Sequence, residues 1–480
     1  MRKQVAMLKS NLLRLLPVMV LVIFGVASCA PTVTPTETVT PPTESPSPKP
    51  TQTRPAQPTA APTATISPLL DVDPAALSGI KVRFLHPWTG EIADTLEAIA
   101  MAFSLSNAWD IWVEAEGFGS ENLMIEDIQS GKVSGELPGL VAVHPYMLGD
   151  LEGDYNTIDL SGYLEDPQWG FEEGALADMP QVYFEPFMEG DRLAALPFAP
   201  KGTVLFYNQT WGESLGFAAP PEDIAAFREQ SCDASFFNRE DFIVENDGTG
   251  GWLINFDPRV LASWYQAFGG SLAKSGPPSF NDEAGRDAFD YLKSVYDQGC
   301  IWIGRQPEPY FYFANRYALM YAGTLDQIPS QRGWMDQAGN DDSWVTLGFP
   351  GPAGGVMLVD GPGLMISADS PENQLAAWLF AKHLLEPEVQ ARLIQAMFTL
   401  PVRRSAMESL VGFTRDYPQW AQAVELIEKA EGLPTSQGWG LGQWVLQDAI
   451  TRLILSEEAN TRAILEQLDQ TIVELEEVDP

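Results

Sequence analysis

The sequence predicts an α/β protein built from two lobe-sized parts, and three observations carry that reading. Short apolar runs of strand length alternate with amphipathic stretches of helical period along the chain. Hydrophobic residues make up 45% of the 480, ample material for a buried core. From about residue 69 onward some 410 residues run on without an internal repeat or a linker-like break.

The chain opens on a segment that reads as targeting. Arg2, Lys3, Lys9 and Arg14 form a basic stretch, followed by an apolar run from Leu15 to Val26 that is short for a membrane span. The run ends in Val26-Ala27-Ser28-Cys29, which resembles a bacterial lipobox, so residues 1–28 are expected to be a lipoprotein signal peptide and Cys29 the lipidated N-terminus. The competing reading is an ordinary signal peptide with a chance cysteine. Cleavage there would leave 24 basic against 65 acidic side chains, a formal charge of −41. Either way Lys+Arg 28 against Asp+Glu 65 repels phosphate backbones, which argues against nucleic-acid binding. Residues 29–68 then read as a disordered tether: from Ala30 they are almost all Pro, Thr, Ser, Ala and Glu, too polar to bury a core. In a polyproline-like state it would reach about 120 Å, at about 3.1 Å per residue.

Ile80–Leu85, Trp109–Glu116 and Leu140–Val143 read as strands, with a helix at Ile92–Leu105 between the first two. Thr203–Tyr207 and Val356–Ile366 read as extended segments able to pass between lobes, and Ala318–Tyr321 as a further strand. Glu372–Leu385, Glu388–Phe398 and Asn460–Glu477 carry apolar residues at three- and four-residue spacing, the mark of amphipathic helices. With Cys29 assigned to the anchor, Cys232 and Cys300 remain in an oxidising compartment and are expected to pair. A loop of nearly 70 residues would contribute about 4 kcal/mol by chain entropy.

Several short motifs occur in order: H-P-W-T-G at His86–Gly90, E-G-F-G-S at Glu116–Ser120, L-P-F at Leu196–Phe198 and L-F-Y-N at Leu205–Asn208. G-G-W at Gly250–Trp252, F-G-G at Phe268–Gly270, D-x-G-C at Asp297–Cys300, A-W-L-F at Ala377–Phe380 and L-P-V-R at Leu400–Arg403 follow. Each is weak alone; their order resembles extracellular solute-binding proteins of family 1, from about residue 79 to the C-terminus. The resemblance implies a type II periplasmic-binding-protein-like fold, two α/β lobes joined by a multi-strand hinge. It also implies a ligand closed in the cleft and delivered to the permease of an ABC importer, with no cofactor. Crossings are then expected near Val204, Val356 and Arg403. Lobe 1 would comprise residues 79–204 and 356–403, and lobe 2 residues 205–355 and 404–480.

Receptors for sugars pair flat aromatic platforms with planar hydrogen-bonding groups, so a carbohydrate ligand directs attention to such side chains near loop ends. In lobe 1 the candidates are Trp88 after the first strand, Ser120 in a Gly-flanked loop, and His144 and Tyr146 after Val143. Gly361 and Gly363 around Pro362 would offer backbone N–H groups, and Arg403 a guanidinium. At the first crossing stand Tyr207 and Asn208; in lobe 2 Trp252, Trp264, Tyr310 and Thr324. The competing readings are core packing for the tryptophans, helix capping for Ser120, hinge packing for Tyr207 and Asn208, a plain turn for the glycines and a salt bridge for Arg403. Two other functions compete. A surface lipoprotein with a structural role explains the anchor and tether but not the ordered motifs. A hydrolase using Ser214 of Gly212-Glu213-Ser214-Leu215-Gly216 would need a strand directly before the serine and a histidine downstream on a loop. His383 instead lies in a helical pattern. Neither an H-E-x-x-H nor a phosphate-binding G-K-[ST] loop is present, so no metal site is expected.

Overall fold

The computed structural model describes residues 70–478, apart from 135–136, 149–150, 152–156, 273–275, 307, 353, 368 and 434–437. The signal-like segment, Cys29 and the tether therefore lie outside the described residues.

Two sheets organise the described chain. In the first, parallel strands β1 (Lys81–His86), β2 (Trp112–Gly117) and β3 (Leu140–Val143) lie in the order β2-β1-β3. The sheet is extended past β3 by antiparallel β13 (Gly363–Ile366) and β6 (Leu196–Pro197). Helices α1 (Glu91–Ser106), α2 (Glu121–Ser134), α6 (Pro371–Leu384) and α7 (Pro387–Met397) belong with it. β3 is buried along its whole length, which is why Leu-Val-Ala-Val shows no alternation: both faces are covered.

The second sheet is larger. Its order is β14 (Ala430–Gly432), β12 (Met357–Asp360), β7 (Lys201–Asn208), β10 (Ala318–Thr324), β8 (Gly250–Ile254) and β9 (Ile301–Ile303), with β11 (Trp344–Leu347) paired to the far half of β7. A two-stranded ribbon, β4 (Met188–Glu189) with β5 (Arg192–Leu193), stands apart. Successive side chains of a strand face opposite ways. Leu205 and Tyr207 of β7, with Trp252 and Ile254 of β8, accordingly enter one core, and Val204, Phe206 and Leu253 enter another. The first of these cores is closed by α3 (Ile224–Glu240), α4 (Pro258–Ala267), α5 (Glu283–Asp297), α8 (Gly438–Leu455) and α9 (Thr461–Val478). A disulfide joins Cys232 on α3 to Cys300 before β9, 68 residues on. Gly251 sits where these elements meet; a Cβ there would lie 2.2 Å from the carbonyl oxygens of Ser231 and Cys300, so only glycine fits.

Between the sheets the chain crosses at three neighbouring places. Phe198 and Ala199 donate backbone hydrogen bonds to Pro362, and Leu400 donates to Pro200 at 2.7 Å, so the crossing segments are bonded to one another. The segment expected to be extended from Val356 to Ile366 is two strands in two sheets, with the turn at Gly361–Pro362 between them. Strand membership therefore moves the crossings expected near Val204 and Val356 to about residues 198–201 and 360–363. β7 is one unbroken strand from Lys201, and β12 pairs with its first half at Leu358↔Thr203. At the third passage Val402 packs in the core of the first sheet and Ala406 in a core of the second.

Candidate functional site

Strands β3 and β8 both run toward the gap between the sheets, and the loops at their ends face each other across a cavity of about 530 Å3. That volume falls within the range of small-ligand sites, about 300–1,000 Å3. His144 and Tyr146 come from the end of β3; Asn255, Phe256, Asp257, Pro258 and Arg259 come from the end of β8 and the start of α4. Asp360, the last residue of β12, lies at the crossing; Glu308, Pro309 and Gln327 add to the wall, and Gln443, Trp444 and Gln447 reach in from α8.

Local sequence explains these positions. Asp257 caps α4 by accepting from the Arg259 N–H, and Pro258 begins the helix with its φ already set. The same carboxylate holds the Arg259 guanidinium at both oxygens, 2.9 and 2.7 Å, a bidentate geometry that fixes the charge. Burial would lower the Arg259 pKa, but Asp257, with Asp360 and Asp326 nearby, raises it instead. Asn255 donates to the carbonyl of Ala322 at 2.9 Å, which orients its amide. On α8, Leu446, Ala449, Ile450, Leu453 and Ile454 are buried, while Trp444 on the other face is 61% exposed.

One side of the cavity carries a charged cluster. His144 Nε2 lies 3.1 Å from Glu121 Oε1 and its Nδ1 lies 3.3 Å from Asp360 Oδ1. Tyr146 donates its hydroxyl to the other Glu121 oxygen at 2.9 Å, and its ring stacks on that of His144 with centroids 5.6 Å apart. Asp360 Oδ1 also accepts the Gly361 N–H at 2.7 Å. Burial alone would raise the Asp360 pKa; His144, Arg259 and that N–H outweigh it and hold the carboxyl down at about 2. For His144, burial works against the charged ring, but the Asp360 and Glu121 carboxylates prevail and its pKa is raised.

Of the thirteen residues singled out as ligand contacts, His144 and Tyr146 line this cavity. Trp252 and Trp264 do not: both are fully buried and pack on each other and on Phe227, so these indoles belong to the core. Tyr207 is buried, and Asn208 caps the short helix Gln209–Ser214 while donating to Asp342 at 2.8 Å. Tyr310 packs edge-on against Tyr321, and the Thr324 hydroxyl donates to Asp326; their neighbours Pro309 and Gln327 line the cavity instead. Trp88 packs against His86 and Phe198, and Ser120 caps α2 by accepting from Leu123 N at 3.2 Å. Gly361 gives its N–H to Asp360 and has no room for a side chain, since a Cβ would lie 2.5 Å from the Ala199 oxygen at the adjacent crossing. Gly363 is paired on both sides within the first sheet. Arg403 is held by Asp178 at 2.8 Å, the salt-bridge alternative. Ser214 ends the short helix with its hydroxyl donating to the Trp211 carbonyl at 2.7 Å.

Residues that sequence reasoning missed include Trp444 and the amides of Asn255, Gln327, Gln443 and Gln447. A visible signal existed for one of them: in G-W-G-L-G-Q-W-V-L-Q, Trp444 falls on the polar side of the helical stripe.

The sequence profile described as "Bacterial extracellular solute-binding protein" matches residues 79–425, well over half of the chain. The chain belongs to that family. Its members are binding proteins that work outside the cell, which implies an extracytoplasmic location, and among the described residues no helix is long and apolar enough to cross a membrane. No curated protein sequence matches the chain. Among solved structures, the sugar-binding protein MalE from Xanthomonas citri is similar at a TM-score of 0.71 and 20% identity, covering 83% of this chain and 98% of that one. The cyclic α-maltosyl-1,6-maltose binding protein from Arthrobacter globiformis aligns at 0.70 and 16%, covering 83% and 99%. UgpB from Mycobacterium tuberculosis, in complex with glycerophosphocholine, aligns at 0.65 and 16%, covering 84% and 99%. These identities establish the fold, the two-lobed architecture of periplasmic binding proteins, for this solute-binding protein.

Proposed function

We propose that this solute-binding protein takes a neutral carbohydrate into the cavity between its two sheets and presents it to the permease of an ABC importer, held at the membrane by a lipid on Cys29. One observation carries the reading: an exposed indole, Trp444, lines the cavity with Phe256, Tyr146 and four planar amides, Asn255, Gln327 and, on its own helix, Gln443 and Gln447. Aromatic faces match the apolar C–H faces of a sugar ring, and amides both donate to and accept from its hydroxyls. Ligand contacts to both lobes would stabilise the shut state by hinge motion at the three bonded crossings.

The solved relatives support the ligand class, since two of the three named above are described as binding a sugar or a named oligosaccharide. A glycerol-phosphate-type ligand is the second reading, favoured by the likeness to UgpB. The wall weighs against it: Arg259 is already clasped by Asp257, and Glu308 and Asp360 add negative charge where a phosphate would need donors. The test is a thermal-shift and calorimetric panel of maltooligosaccharides, other sugars and glycerol phosphates on the full chain. A ligand at 100 times its Kd adds about 2.7 kcal/mol of native-state stability. Stabilisation by one sugar class, lost in Trp444→Ala, is the expected result; stabilisation only by phosphate-bearing ligands would replace the reading.

A further inference from the structure

His144 is placed between two carboxylates that belong to different parts of the molecule. Glu121 begins α2 in the first lobe, and Asp360 ends β12 in the second sheet at the crossing; 239 residues separate them, and one imidazole spans the gap with Nε2 at 3.1 Å and Nδ1 at 3.3 Å. A neutral imidazole has one N–H and one lone pair, so whichever tautomer it adopts, a bare nitrogen would face a carboxylate. Only the doubly protonated ring satisfies both contacts. The surroundings are otherwise committed: Tyr146 gives its hydroxyl to Glu121, Gly361 gives its N–H to Asp360, Arg259 is clasped by Asp257, and Lys201 on β7, a cation that opposes the ring's charge, is paired with Asp326 at 2.6 Å.

We propose that His144 is a positioning residue for closure, an imidazolium that fastens the first-lobe wall at Glu121 to the hinge lip at Asp360, so that the cleft holds its ligand tightest while the ring carries both protons. The proposal rests on the cleft being the ligand site. The sign follows from the charges. Because the two carboxylates raise the ring's pKa against the cost of burial, the clasp is complete at and below the 6.5 of an ordinary histidine and is lost as pH rises through the raised midpoint. Loss of the second proton leaves a lone pair against Glu121 or Asp360, and the two walls are then pushed apart.

The experiment begins without ligand. The chain has three histidines, so their ring C–H resonances in the full-length protein can be assigned by substitution and titrated between pH 5 and 9. His144 is expected to titrate above 6.5, and its midpoint to fall in both Glu121→Gln and Asp360→Asn. A midpoint at or below 6.5, or one that neither substitution moves, overturns the proposal. In the second arm maltotriose is the probe. If closure retains one proton, its affinity falls by up to tenfold per pH unit above the His144 midpoint, and His144→Gln abolishes that slope and weakens binding at pH 6. An affinity flat across a measured high midpoint also overturns it. Should maltotriose bind at no pH, the carbohydrate reading is what fails, and the clasp is then decided by the ligand-free titration alone.

Discussion

Trp444 and Trp252 are the same side chain in opposite circumstances, and they predict opposite experimental signatures. Trp444 is 61% exposed on the cavity side of α8. Replacing it with alanine is expected to leave the unfolding midpoint nearly unchanged while weakening sugar affinity tenfold or more, about 1.4 kcal/mol, by titration calorimetry. Trp252 is fully buried against Phe227 and Trp264, so Trp252→Ala is expected to cost about 3–5 kcal/mol in a denaturant titration, with any loss of binding following from unfolding. Their sequence settings differ: Trp252 follows Gly250-Gly251 in an apolar run of strand length, whereas Trp444 follows Gln443 and falls on the polar side of its helical stripe. That His144 and Tyr146 would stand at a strand end beside the cavity was legible, because they follow a strand of four apolar residues. Their partners were not: nothing local in the chain relates Glu121 or Asp360 to residue 144.

At the scale of elements, apolar patterning did well where a helix runs unbroken between its caps and a strand stays in one sheet. The helices read at Glu372–Leu385 and Glu388–Phe398 stand at Pro371–Leu384 and Pro387–Met397, and the strand read at Leu140–Val143 has those limits. It merged β12 and β13, since both are apolar and a Gly-Pro pair between them is a turn signal that does not say where the next strand goes. The Cys232–Cys300 bridge ties α3 to the strand edge at β9. Replacing both cysteines with serine is expected to cost about 3–4 kcal/mol in equilibrium unfolding, from the loop of 68 residues it closes, while ligand affinity in the folded protein is retained. A larger loss of affinity than of stability would show that the bridge also positions the cavity wall.

For the molecule as a whole, two electrostatic terms act on stability with opposite signs. The formal charge of −37 spreads repulsion over the surface, so moderate salt is expected to raise the thermal midpoint at neutral pH. Particular carboxylates do the reverse. Burial pushes the Asp178 pKa up, but Ser405 and Arg403 more than offset it and the pKa is lowered; the result joins residue 178 to the third crossing. With Asp360 held near 2, the stability these groups contribute is present above about pH 4 and is lost as pH falls through their lowered values. Melting curves from pH 5 to 2 are expected to show the midpoint dropping, less steeply in Asp178→Asn, whose stability at pH 5 is already reduced. The architecture of the whole was legible through the resemblance that the ordered weak motifs carry, whereas the sheet orders, in which β13 and β6 lie beside β3, depart from chain order and no spacing shows them. The cavity was legible only in part, because its walls are drawn from six separated stretches.

The last of those stretches has a bearing on export. Gln443, Trp444 and Gln447 stand on a helix beyond residue 425, where the family profile ends, and α8 packs against α4 and α5 in the same core. If the chain is exported N-terminus first, as the signal-like segment would direct, both sheets' strands emerge before this helix. This part of the cavity wall is therefore completed last, and a cavity able to grip a ligand is not finished until nearly the whole length is outside.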